Sequence, residues 1–127
     1  MTAEVNADTA SQATDVVRQY IQAIGSGDFD QARALVHDEF SFQGPIATFS
    51  NPDQLLHRLK QLYAIVERVD IREMFADGDD VCLLYEMVTK TPAGTAFIAE
   101  WHHVRDGKID CTCAVFDARP FAAVFQK

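Results

Sequence analysis

Apolar positions recur along this chain with two different periods, and the change of period divides it in two. From Thr14, Val17, Tyr20, Ile21 and Ile24 follow the i, i+3, i+4, i+7 rule of an amphipathic helix. Gly25-Ser26-Gly27 should end that helix, because glycine takes the left-handed terminal conformation cheaply. Asp28 then has the chemistry of an N-cap, with Gln31 three residues on as its capping-box partner. Phe29, Ala32, Leu35 and Val36 supply the apolar stripe of a second helix, and the short link predicts a helical hairpin. Phe40-Ser41-Phe42-Gln43 alternates like a short strand, which Gly44-Pro45 stops. Asn51-Pro52-Asp53-Gln54 opens a third helix with a cap, a first-turn proline and an acid near the positive end. Its apolar face is Leu55, Leu56, Leu59, Leu62, Tyr63 and Val66.

Beyond that point the period shortens to two. Val69, Ile71 and Phe75 predict a strand, with an irregularity near Glu73-Met74. Strands follow over 81–89, 95–104 and 108–117, joined by turns at Asp77-Gly78-Asp79, Thr91-Pro92-Ala93-Gly94 and Asp106-Gly107. Asp-Gly between alternating strands is the strongest hairpin signal in the chain. Both strand faces are apolar: Val81, Leu83, Tyr85 and Met87 oppose Cys82, Leu84 and Val88, and Phe97, Ala99 and Trp101 oppose Ala96, Ile98 and Glu100. A sheet with one wet face alternates apolar with polar, so both faces here should be covered. Three helices can cover one. A second copy of the chain is expected on the other, with Trp101 as the kind of residue that anchors such contacts.

The 127 residues suit one domain, read as 12–127, behind a flexible, patternless arm at 1–11. With 11 basic and 19 acidic residues the net charge is −8, which argues against nucleic-acid binding and against docking on anionic membranes. The polar, acidic N-terminus lacks the basic start and apolar core of a signal peptide, and a cytoplasmic location is expected. Three cysteines, Cys82, Cys111 and Cys113, then read as free thiols. Cys111 and Cys113 share a strand face, and small buried apolar roles suit them better than a metal or redox pair. No zinc spacing, phosphate loop or Ser-His-Asp order occurs, so no metal or cofactor is expected.

The element order, the helix break in Tyr20-Ile21-Gln22-Ala23-Ile24-Gly25-Ser26-Gly27-Asp28, the strand Ala99-Glu100-Trp101-His102-His103-Val104-Arg105-Asp106-Gly107-Lys108-Ile109 and the closing Phe116-Asp117 together resemble the nuclear transport factor 2-like superfamily. The resemblance covers residues 12 to 118 and includes ketosteroid isomerases and SnoaL-like cyclases. It implies an α+β fold: a cone-shaped, curved antiparallel sheet wrapped around three N-terminal helices, the cystatin-like roll. It also implies an apolar pocket and dimers formed through the outer sheet face.

Three residues could carry chemistry. Tyr20 stands where ketosteroid isomerases keep an oxyanion-hole tyrosine, and a buried phenol can donate to developing negative charge; the same position also suits a core tyrosine. Glu100, an acid within an apolar strand, aligns with the acid that shares that hole. Burial would let it stay protonated or act as a tuned acid or base; a structural ion pair, with an arginine such as Arg18 or Arg58, or an acid at a wet pocket mouth is the plain alternative. His102 shares the inward face with Ile98 and Glu100 and could be a base that Glu100 orients. His103 must point the other way. The position of the isomerases' proton-shuttling aspartate is Gly44 here, and the last strand, Cys111-Thr112-Cys113-Ala114-Val115, lacks the acid and histidine groups of the cyclases. Phe40, Phe42, Leu59, Tyr63, Leu83, Tyr85, Met87, Thr112 and Phe116 are expected to line a pocket for a flat or multi-ring hydrophobic molecule. Two functions follow: an isomerase, cyclase or hydratase acting on a hydrophobic carbonyl or polyketide-like compound by proton transfer, or a non-catalytic ligand-binding or dimeric interaction module.

Overall fold

The computed structural model describes residues 2–121, with side chains from residue 12 onward. Helix α1 (Thr2–Gly25) is followed by α2 (Phe29–Ala34), β1 (Val36–Gln43), β2 (Thr48–Phe49), α3 (Pro52–Tyr63), β3 (Val66–Asp77), β4 (Asp80–Thr89), β5 (Thr95–Arg105) and β6 (Lys108–Val115), and a 3-10 turn at Arg119–Phe121 closes the described chain. The backbone of α1 reaches back to Thr2, ahead of its apolar pattern and through the segment read as an arm. Alanine-rich polar sequence has helix propensity without an apolar periodicity in the sequence to announce it. Residues 122–127 of the expected domain lie outside the described residues.

Local chemistry sets the helix ends as expected. Gly27 (φ 80°) lets the Gly27 N–H donate to Ile24 and the Asp28 N–H to Ala23, a double bond pattern that satisfies the last carbonyls of α1. The Asp28 carboxylate accepts from the Gln31 N–H at 3.1 Å. Asn51 caps α3, accepting from Asp53 and Gln54. Two helix boundaries differ from the sequence reading. Leu35 ends α2 as its C-cap and Val36 already opens β1, while Val66 opens β3 instead of extending α3. Apolar residues at these junctions fit either period, so spacing could not separate them.

The six strands form one curved sheet in the order β2-β1-β6-β5-β4-β3. β3 to β6 are the expected antiparallel meander, and the register slips between Ile71 and Glu73, at the expected irregularity. At the Asp106-Gly107 turn both residues have positive φ, 54° and 76°. The sheet is not wholly antiparallel, because β1 pairs with β6 in parallel. Parallel neighbours need a long crossover, and α3 with the first three meander strands provides one. The helices cover the inner face, where Val17, Tyr20, Ile24, Val81, Leu83 and Ile109 are buried. Each such side chain contributes roughly 1.5–3 kcal/mol by leaving water.

The outer face is apolar and open. Paired positions place Phe75, Cys82, Trp101 and Cys113 in one row across β3, β4, β5 and β6. Trp101 is 58% exposed, and Phe75, Phe97 and Val115 are comparable. The cysteine expectation is corrected here: Cys111 is exposed and Cys113 half-buried, because among the described residues no helix covers their side of the sheet.

Candidate functional site

Glu100 and His102 leave β5 on the inner face, two residues apart. The Tyr85 hydroxyl, on β4, donates to Glu100 Oε2 at 2.7 Å. His102 Nε2 lies 2.9 Å from Glu100 Oε1. That approach is close but off-line, and Nε2 has no aligned hydrogen-bond partner. The other ring nitrogen, Nδ1, is 2.8 Å from Thr112 Oγ1 on β6. Tyr20, from α1, sets its ring edge-on to the His102 ring with centroids 6.1 Å apart. No hydrogen bond to the Tyr20 hydroxyl exists among the described residues. No arginine pairs with Glu100, so the alternative of an ion pair with Arg18 or Arg58 does not hold.

The sequence leaves Glu100 either protonated or a tuned acid or base, and the electrostatics favour the ionised form. Burial pushes the Glu100 carboxyl up, but the His102 ring and the Tyr85 hydroxyl together outweigh it and hold the group below its ordinary range. Glu100 is therefore a carboxylate at neutral pH, although its side chain is only 12% exposed. Burial first, and then the Glu100 charge, push the phenols of Tyr20, Tyr63 and Tyr85 upward. All three stay protonated and can only donate or accept as neutral hydroxyls. The site thus sets one ionised carboxylate among three neutral phenols.

These groups open into an apolar cavity of about 120 Å³. Of the residues singled out in the sequence, Tyr20, Phe42, Leu59, Tyr63, Tyr85, Met87, Glu100, His102, Thr112 and Phe116 line it. Phe40 and Leu83 do not. Both point inward but are packed on every side in the core, Phe40 with the helices and Leu83 beneath the meander. The enclosed space is also smaller than a multi-ring ligand needs. A cavity of ~150 Å³ takes benzene, so a larger molecule must extend past the exposed rim residues Pro45 and Ile46.

Several lining residues escape the sequence reading. Arg58 on α3 is one, considered there only as a partner for Glu100. Phe121 is another: it folds back from the 3-10 turn to lie 1% exposed against Phe116. Neither periodicity nor spacing marks a single aromatic in a tail. Gly44 lines the cavity too, and a Cβ there would stand 2.9 Å from the Phe42 ring. Phe42 thus crowds the place where the resemblance puts a catalytic aspartate. Among the described residues no cluster of metal-ligating side chains occurs, and no helix is long and apolar enough to cross a membrane.

A sequence profile of the SnoaL-like domain matches residues 17–111. The chain belongs to the SnoaL-like domain family. No curated protein matches the sequence. Among solved structures, this SnoaL-like domain is 24% identical to an NTF2-like protein of unknown function from Cytophaga hutchinsonii, covering 86% of this chain and 93% of that one with a TM-score of 0.77. A LEH-like epoxide hydrolase from M. tuberculosis is 19% identical over 86% and 85% of the two chains, TM-score 0.75. A de novo designed protein with a curved β-sheet is 21% identical over 91% and 93%, TM-score 0.78. At these identities the likeness is one of fold. That a designed chain shares it underlines that the cavity, and not the scaffold, must carry any activity.

Proposed function

We propose that this SnoaL-like domain binds a small hydrophobic carbonyl compound in its cavity and moves a proton within it. The observation that carries the reading is the buried Glu100 carboxylate facing the same apolar cavity as the Tyr20 hydroxyl, which makes no hydrogen bond among the described residues. Glu100 takes a proton from the carbon next to the carbonyl. The C–H electron pair forms the carbon–carbon double bond of an enolate, and the oxyanion accepts a hydrogen bond from Tyr20. Where a carbon–carbon double bond lies next to that carbon, the enolate is conjugated with it. The carboxylic acid then returns the proton at the far end of that double bond, which moves the double bond into conjugation with the carbonyl without a cofactor. Each carboxylate oxygen keeps a free lone pair after its contact with Tyr85 or His102.

His102 takes a different role from the base first considered. Its side chain is 0% exposed, and it sits between Thr112 and Glu100. A ring that turns Nε2–H toward the carboxylate accepts from the Thr112 hydroxyl at Nδ1, which makes His102 a positioning residue for Glu100. The absence of a carboxylate at Gly44, and a Glu100 held below its ordinary range and so a weaker base, favour a second reading, a domain that binds its ligand unchanged. The outer face, with Phe75, Phe97, Trp101 and Val115 exposed, supports a homodimer formed through the sheet.

Thermal unfolding against a panel of ring ketones, steroids, aromatic polyketides and terpene epoxides tests binding. A ligand at 100 times its Kd stabilises by ~2.7 kcal/mol. A hit that weakens in Tyr20→Phe and Glu100→Gln supports the site. A panel with no hit, or a hit indifferent to both substitutions, overturns it.

A further inference from the structure

Arg58 is the one arginine among the described residues without an acidic partner. Arg18 pairs with Asp15, Arg33 with Asp38 and Asp53, Arg68 with Glu67 and Asp70, Arg72 with Glu86, Arg105 with Asp110, and Arg119 with Asp117. Arg58 makes no hydrogen bond or ion pair with any described residue. In a chain with 19 acids against 11 bases, an arginine left alone is unexpected. The sequence of α3 makes the isolation local. The positions three and four residues away are Gln54, Leu55, Gln61 and Leu62, so no carboxylate reaches it along the helix. Arg58 is also half-buried, and it lines the cavity.

A cation in an apolar cavity wall, with no protein anion to meet, suits an anion that arrives with the ligand. The rest of the cavity fixes which end that anion occupies. Glu100 is ionised, so a second carboxylate beside it would be repelled, and the neutral phenol of Tyr20 suits an uncharged oxygen. Arg58, in exposure, stands between that buried group and the exposed rim at Pro45 and Ile46. The net charge of −8 would discourage a free anion from this surface unless a dedicated cation received it. We propose that the ligand is an amphiphilic hydrophobic carboxylate, its uncharged end among Tyr20 and Glu100 and its carboxylate on Arg58. This rests on the cavity being the binding site and adds the charge of the ligand to that reading.

The test is calorimetric titration with matched probes, 4-phenylbutanoate against 4-phenylbutanamide and 2-naphthylacetate against 2-naphthylacetamide. Wild type, Arg58→Gln and Arg58→Lys are compared at low and at physiological salt. Wild type should bind each acid about tenfold tighter than its amide, the scale of one charge-assisted hydrogen bond. Arg58→Gln should abolish that preference by weakening the acid more than the amide, and a Tm close to that of wild type reports that the variant is folded. Arg58→Lys should restore part of the preference. Equal affinity of acid and amide in wild type, or a preference that survives in Arg58→Gln, overturns the proposal and leaves the cavity reading standing. If neither acid nor amide binds, the proposal falls, and the ketone panel decides the cavity reading separately.

Discussion

Glu100 is held by two neighbours of different kinds, and its ionisation should be readable in stability. Its folded value lies below the ordinary range, so the unfolded chain binds the proton more readily as pH falls. The stabilisation is present at neutral pH and disappears as pH drops through the folded value. We therefore expect wild type and Glu100→Gln to differ most in Tm near pH 7. The difference should shrink once pH falls below about 4. A gap that stays constant across that range would contradict the assignment. His102 holds the other end of the same chain of contacts. His102→Ala leaves a void and removes the partners of Glu100 and Thr112, and should cost about 2–4 kcal/mol in urea unfolding. Thr112→Val removes one hydroxyl and should cost only about 1 kcal/mol. Of the three groups read from sequence as chemical, all three meet in the cavity. What spacing could not supply was the charge state, because it depends on Tyr85, fifteen positions away in sequence and one strand away in space.

Elements were legible where their signals were local. The caps at Asp28 and Asn51, the glycine exit from α1 and the Asp106-Gly107 hairpin all depend on three or four adjacent residues. Gly107 adopts φ 76°, so Gly107→Ala should lose about 1 kcal/mol in thermal or urea unfolding, without touching the cavity. Boundaries at Leu35–Val36 and Val66 were misplaced because an apolar residue at a junction satisfies both periods. The pairing of β1 with β6 was missed for a different reason: strand neighbours separated by most of the chain leave no mark on local pattern. The same holds for Phe121, whose burial is decided by a turn that follows the last strand.

At the scale of the whole molecule, one curved sheet separates two apolar surfaces with different fates. The inner one packs against helices and leaves a cavity; the outer one presents Phe75, Phe97, Trp101 and Val115 to solvent. The proposed burial of that face against a second copy would account for the two-sided strands, and Trp101→Lys should then shift a dimer to monomer in light scattering at micromolar concentration while leaving Tm near that of the isolated protomer. A wild type already monomeric under those conditions would contradict the dimer. The fold could be read from a pattern of periods and a family resemblance, but the ligand could not, because its recognition depends on which side chains the curvature gathers. The most direct measurement of the central claim is deuterium exchange from D2O into the α-carbon of a bound ring ketone, followed by proton NMR. The account predicts exchange well above buffer, lowered about a hundredfold or more by Glu100→Gln and similarly by Tyr20→Phe. A ketone that binds in the cavity yet exchanges no faster than in buffer, or a Glu100→Gln variant as fast as wild type, would contradict proton transfer at this site.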